Sequence, residues 1–190
     1  MKNIETTEHM RNHFKNHKAE IAVDNDRICV IDFRNRNGSS NYYVNFIIDK
    51  ERGAFIVSGD LGDSIALWYN EITPEKIRQY ISNEWYYIEK IQCATNLFTW
   101  EYEDVVEDVR NTFAEWDFQA DDEEWDEILG EISESTSYAD SFYPTERLRD
   151  LISEFDADYY EWLFRCGRRI DDRVYLWTVA YQMACEQLGI

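Results

Sequence analysis

The sequence predicts an α+β protein: an N-terminal helix with a three-stranded antiparallel sheet, followed by an acidic, all-helical C-terminal half. Residues 1–98 read as an α+β domain built on an antiparallel meander, and residues 99–190 as the acidic helical region. Three observations carry this expectation. Runs rich in Ile, Val and aromatic residues lie between positions 27 and 58, separated by turn residues. Beyond Gly62 the apolar spacing lengthens from two to three or four, the period of helices. Charge changes as well: Glu101 to Glu161 holds twenty-two Asp and Glu against three basic residues, Arg110, Arg147 and Arg149. That segment carries a formal −19 of the chain's −20.

Thr6 to Lys18 reads as a short helix, with Thr6 or Thr7 as cap and Met10 and Phe14 one turn apart on its packing side. Arg27 to Phe33 is the first strand, and Asn35-Arg36-Asn37-Gly38 turns the chain. Tyr42 to Asp49 is the second strand, Lys50-Glu51-Arg52-Gly53 the next turn, and Ala54 to Ser58 the third strand. Strands this close, joined by turns this short, form an antiparallel meander. Thr73-Pro74-Glu75 starts a helix, with Thr as cap and Pro at its first position. Ile77, Ile81, Trp85, Ile88 and Ile91 extend it as one helix bent near Asn83. Tyr102 to Trp116 is amphipathic through Val105, Val106, Val109 and Phe113. Glu123 to Ile132 repeats the pattern through Trp125, Ile128, Leu129 and Ile132, and Pro144 to Phe155 and Asp171 to Leu188 supply two more helices. A boundary falls near Asn96 to Trp100, where charge and period both change.

Composition excludes several classes. No run of about eighteen apolar residues exists, so no membrane span is expected. Met1-Lys2-Asn3-Ile4-Glu5 lacks the apolar core of a secretory signal, which makes the expected location the cytoplasm of a bacterial host. Cys29, Cys93, Cys166 and Cys185 are far apart, without C-x-x-C, and read as free thiols rather than a disulfide framework or a zinc site. A net charge of −20 repels nucleic acid and anionic membrane, so direct binding to either is disfavoured.

Candidate chemistry is sparse. His9, His13 and His17 recur every four residues, a spacing that stacks imidazoles on one helix face and makes them weak candidates for a transition metal. Nothing nearby in sequence completes a tetrahedral set. Ser58-Gly59-Asp60-Leu61-Gly62-Asp63 lacks the spacing and the Lys of a nucleotide loop, and its two acids would repel phosphate. It reads as a tight turn with Gly59 and Gly62 in special backbone conformations. Asp32 stands inside an apolar strand, where an outward-facing Asp is commoner than a catalytic one. There is no nucleophile elbow, no H-E-x-x-H and no nucleophile beside a sensible base. The expectation is a protein that is not an enzyme and needs no cofactor.

The acidic segment is the informative feature. Acidic runs are often only solvated helix faces or disordered tails. Here Tyr102, Val105, Phe113, Trp125, Ile128 and Ile132 are interleaved with the carboxylates, enough apolar surface to support folding. Duplex DNA carries one negative charge per about 1.7 Å, so nineteen carboxylates match roughly 32 Å of duplex. A strongly cationic, nucleic-acid-binding protein is the expected partner. The residues expected to meet it are Asp121, Asp122, Glu123, Glu124, Asp126, Glu127 and Glu131, with Trp125 as anchor. Reversing Asp121 to Glu124 to Lys is expected to abolish binding and leave the fold intact. Arg165, Arg168, Arg169 and Arg173 form the basic knot expected to pair with the acidic segment, within the chain or across a dimer.

Asn37-Gly38-Ser39-Ser40-Asn41-Tyr42, Phe46-Ile47-Ile48-Asp49, Ser58-Gly59-Asp60-Leu61-Gly62 and Tyr87-Ile88-Glu89-Lys90-Ile91-Gln92-Cys93 together resemble small proteins of Gram-positive prophages and conjugative elements. Some of these are anti-CRISPR inhibitors of type II effector nucleases. The resemblance covers about residues 6 to 110, and its motifs are structural rather than catalytic. It implies a mobile-element origin. With the charge, it makes an anti-defence protein that binds a Cas effector nuclease stoichiometrically the leading expectation. An immunity protein neutralising a basic nuclease toxin, and an enzyme modifying a defence component, stand as alternatives.

Overall fold

The computed structural model describes residues 4–136 and 141–190. The chain divides into two compact units, Met1–Leu97 with Asp172–Ile190, and Phe98–Asp171. The first begins with helix α1 (Ile4–His13) and runs into strands β1 (His17–Asp24), β2 (Ile28–Asn35), β3 (Val44–Asp49), β4 (Ala54–Gly59) and β5 (Ser64–Leu67). Helices α2 (Pro74–Tyr80) and α3 (Glu84–Lys90) follow, then strand β6 (Ile91–Ala94). The six strands form one antiparallel sheet in sequence order.

The expected three-stranded sheet and all-helical second half are therefore wrong. The main sheet has six strands, a second sheet of two lies beyond residue 97, and helices are spread through the chain. Two of the missed strands, β1 and β5, have a local reason. In β1 only His17 and Ala19 are buried, because it is an edge strand held by the β2 ladder. Its sequence therefore lacks strand alternation, and Lys18-Ala19-Glu20 looks like a helix end. Helix α1 stops at His13 instead of Lys18, and Thr6 and Thr7 fall within it; their side chains, expected as caps, lie outside the described residues. In β5 the buried positions are Ser64 and Ala66, small because the buried Tyr87 ring fills that space. The Ser64 and Tyr87 hydroxyls meet at 3.1 Å.

The single helix expected from Thr73 to Ile91 is two. Thr73 caps α2, accepting from Lys76 N at 3.3 Å, with Pro74 at the first position. Asn83 interrupts the chain and caps α3, accepting from Tyr86 N at 3.0 Å. Ile91 then takes extended backbone and begins β6.

One sheet face is covered by helices. Ile31, Phe33, Val44, Phe46, Phe55 and Val57 are buried on it: the final helix, α7 (Asp172–Leu188), packs on β1 to β3, α3 packs on β5, and α1 and α2 pack against α7. Tyr181 of α7 meets Phe46 and Phe55 edge-on at 5.0 and 4.9 Å. Its hydroxyl donates to the Pro74 carbonyl at 3.0 Å, and Trp177 Nε1 donates to the Leu61 carbonyl at 3.2 Å. On the other face Val23, Val30, Ile47, Ile56 and Ile65 fall in one row across five strands. The loop after β4 is the tight turn expected: Gly59 and Gly62 have φ of 141° and 87°, and a Cβ at Gly59 would lie 2.2 Å from the Tyr43 carbonyl.

The second unit contains strand β7 (Phe98–Trp100), helices α4 (Tyr102–Glu115), α5 (Asp122–Ser135) and α6 (Glu146–Phe155), two short 3-10 turns, and strand β8 (Arg168–Ile170) paired with β7. Val105, Val109 and Phe113 recur every fourth residue along α4 and bury one stripe. They pack with Ile128 and Ile132 of α5 and Leu148, Leu151 and Ile152 of α6. The last residues before β8 close tightly: Gly167 has φ of 71°, and a Cβ there would sit 2.2 Å from Val105 Cγ2. Among the described residues no helix is long and apolar enough to cross a membrane.

Candidate functional site

Charge divides between the units unevenly. Phe98–Asp171 holds twenty-three Asp and Glu against six Arg, a formal −17. The first unit holds sixteen against thirteen Lys and Arg, or −3. Because the apolar stripes of α4, α5 and α6 turn inward, the carboxylates between them are left on the outside. Glu103, Glu107, Glu115, Asp122, Glu123 and Asp126 are all exposed.

The expected partner-binding residues separate into three groups. Asp121 and Glu124 cap α5: Asp121 Oδ1 accepts from the Glu123 and Glu124 amides at 2.9 Å each, and Glu124 Oε2 accepts from the Asp121 amide at 2.7 Å. This reciprocal box satisfies amide groups that a helix start otherwise leaves unpaired. Glu127 and Glu131 tie α5 to α6. Glu127 pairs with Arg147 at 2.5 Å, and Glu131 accepts from the Thr145 hydroxyl, which itself caps α6. Of this set, Asp122, Glu123 and Asp126 are exposed and make no side-chain hydrogen bond or ion pair among the described residues. The proposed reversal of Asp121 to Glu124 would therefore break the capping box and place cations at a positive helix end. It would disturb the fold as well as the surface.

Trp125 is half-buried. Its ring lies 4.9 Å from Phe113, and Arg110 covers it at 4.8 Å. Among the described residues, the exposed aromatics of this unit are others: Trp116 at 57 %, Tyr143 at 73 %, Tyr160 at 58 % and Phe164. Trp116 stands three residues after Phe113, which reads as a continuation of the buried stripe. However, α4 ends at Glu115, and Asp117 takes a φ of 56°, so the chain turns away and leaves the indole outside. Only the helix terminus reveals it, and the sequence offers no Gly there.

One member of the basic knot meets the acidic segment as expected. Arg169 binds Asp108 through two nitrogens at 2.8 and 3.0 Å and reaches Asp104 at 3.1 Å. Asp108 also accepts from the Gly167 amide at 2.7 Å. Burial would raise the Asp108 pKa, but the Arg169 guanidinium and the Gly167 amide outweigh it and hold the carboxyl below its ordinary value. Arg168 lies 4.6 Å over the Phe98 ring, and Arg173 belongs to α7 of the first unit. Burial pushes the nearby Cys166 thiol up to about 12, leaving it inert as a nucleophile.

The three histidines do not stack on one helix face. His9 and His13 meet edge-on at 5.2 Å, and His13 stacks on Tyr42 at 4.7 Å. His17 is the first residue of β1, 1 % exposed, and its Nε2 donates to the Tyr42 carbonyl at 3.2 Å. Packing against Phe14 and Phe33 is the environment of a core side chain.

Compared with known protein families, curated proteins and solved structures, the chain matches none.

Proposed function

We propose that the protein is a stoichiometric inhibitor whose acidic unit occupies the phosphate-holding groove of a cationic nucleic-acid enzyme. An RNA-guided effector nuclease is the first candidate. The observation that supports this is the segregation of charge: −17 falls on 74 residues, with Asp122, Glu123 and Asp126 exposed and, among the described residues, without an ion pair, beside half-buried Trp125. A surface needed only for solubility gains nothing from concentrating repulsion in one body. Partner arginines would take such carboxylates bidentately, and exposed Trp116 and Tyr160 offer ring faces to cations. In an RNA-guided nuclease the matching surfaces are the guide channel, the heteroduplex channel and the arginines that read the adjacent motif. The resemblance over residues 6 to 110 implies a mobile-element origin more firmly than any particular target, and it is the charge that points to a cationic groove. The protein acts by binding, without turnover.

Titration into a type II effector nuclease, with and without guide RNA, tests the proposal. DNA cleavage should fall to zero near one equivalent. The affinity should weaken steeply between about 0.1 M and 1 M salt, as the screening length falls from about 10 Å to about 3 Å. The Asp122→Asn, Glu123→Gln, Asp126→Asn triple variant should bind at least about tenfold more weakly. Substoichiometric inhibition with turnover would overturn binding as the mechanism. Inhibition of a small basic nuclease toxin, with no effect on the effector nuclease, would transfer the same surface to an immunity role.

A further inference from the structure

Strands β1 and β2 place charge in a pattern that sheets avoid. In register, Lys18 lies opposite Arg34 and Glu20 opposite Asp32. Like charges directly opposite each other on one face are destabilising, whereas exchanging one pair member would have made two favourable pairs. The result is a cationic row beside an anionic row, two residues or about 7 Å apart. Arg36 extends the cationic side beyond the end of β2.

The two rows neutralise each other only in part, at one end of the β1 side. Lys18 reaches along its own strand to Glu20 at 2.5 Å. Among the described residues, Arg34 and Arg36 make no ion pair, in a chain with thirty-nine acids. Asp32, singled out above inside its apolar strand, is held in place. It accepts from the Tyr43 hydroxyl at 2.8 Å and from Asn45 Nδ2 at 2.6 Å. The Arg34 guanidinium lies 4.4 Å over the same Tyr43 ring. One tyrosine thus orients a carboxylate and a guanidinium that do not bond to each other. Lys18, Glu20, Asp32, Arg34 and Arg36, with Gly38 of the following turn, line a concavity of about 440 Å³, within the size range of small-molecule sites.

We propose that this concavity binds a small zwitterion, with its phosphate or carboxylate against Arg34, Arg36 and Lys18 and its ammonium or guanidinium against Asp32 and Glu20. A simple anion would face two carboxylates, and a simple cation would face three positive side chains. A ligand charged at both ends meets both rows. The site lies wholly in the first unit and does not depend on what the acidic unit binds.

The test uses the full chain and amide chemical shifts. The probes are O-phosphoethanolamine and 6-aminohexanoate, which carry the phosphate and carboxylate versions of the ligand, with inorganic phosphate and ethanolamine as single-charge controls. At least one zwitterion should shift amides of β1, β2 and the 35–38 turn, with a Kd of about 1 mM or tighter. Arg34→Gln with Arg36→Gln should weaken it at least about tenfold, in line with the loss of charge-assisted hydrogen bonds. Asp32→Asn should weaken the zwitterion without weakening inorganic phosphate. No shift with either zwitterion overturns the proposal. So does inorganic phosphate binding as tightly as the zwitterions, or zwitterion binding unchanged in the double variant.

Discussion

The first unit buries large rings, Phe33, Phe46, Phe55, Trp177 and Tyr181, beneath a six-stranded sheet and carries almost no net charge. The second buries mainly aliphatic side chains between three helices and carries most of the chain's charge. The difference teaches what the second unit's carboxylates are for. One set holds the unit together: Asp121 and Glu124 cap α5, Glu127 and Glu131 fasten α6, and Asp108 binds Arg169. Another set, Asp122, Glu123 and Asp126, is exposed and makes no side-chain hydrogen bond or ion pair among the described residues. Charge that is tied into the unit's own fold and charge left on its surface are thus distinguished by geometry within one helix.

That comparison can be broken most sharply at Gly167. Gly167→Ala forces a Cβ against Val105 at a backbone angle that L-residues rarely adopt, at a cost of about 3 kcal/mol or more. Amide hydrogen exchange should lose protection in α4 and β8 while β2 to β4 of the first unit keep theirs. Uniform loss in both units would mean that they unfold as one.

Asp108→Asn should cost about 1–2 kcal/mol, because the pair it breaks is only partly buried, with side chains 30 % and 39 % exposed. Its pH signature follows from the sign of the shift. The folded carboxyl is held below its ordinary value, so its contribution is full at neutral pH and is lost only as pH falls below about 4, towards the folded value. Denaturant unfolding from pH 7 to pH 3 checks this.

The first unit should respond to acid earlier. Burial lowers the His17 pKa from its ordinary 6.5, outweighing the hydrogen bonds to Asn41 and Tyr42. The unfolded chain therefore takes up a proton before the folded one. Stability should be full above pH 6.5 and fall as pH drops below it, by at most about 1.4 kcal/mol per pH unit. His17→Phe should be less stable at pH 7, since the Tyr42 carbonyl loses its donor, and should lose this slope between pH 6.5 and 5. A slope unchanged in the variant would remove His17 as the cause.

The smallest effect sharpens the comparison most. Asp122→Asn, Glu123→Gln and Asp126→Asn together should change stability by less than about 0.5 kcal/mol per site, the usual range for exposed positions. Asp121→Ala should cost about 1 kcal/mol through the cap alone. If the triple variant destabilises as strongly as the loss of Asp121, its carboxylates serve the fold, and the separation into two sets fails.

Short-range physics in this chain was legible from residue order. The Thr73-Pro74 helix start, the Gly59 to Gly62 turn, the β2–β3–β4 meander and the buried stripe of α4 follow from caps, glycine conformations and periodicity. The concentration of charge was also visible there, as it is a property of composition. Tertiary structure decided what depends on a neighbour distant in the chain. β1 exists because β2 offers it a ladder, and Ser64 and Ala66 form a strand face because Tyr87 fills the space above them. Trp125 turned inward on Phe113, and Trp116 stayed outside where α4 ends. In the same way, Glu127 and Glu131 became internal fasteners and Asp122, Glu123 and Asp126 did not. A carboxylate's sequence fixes its charge, but its role depends on which donors the fold brings within hydrogen-bonding distance.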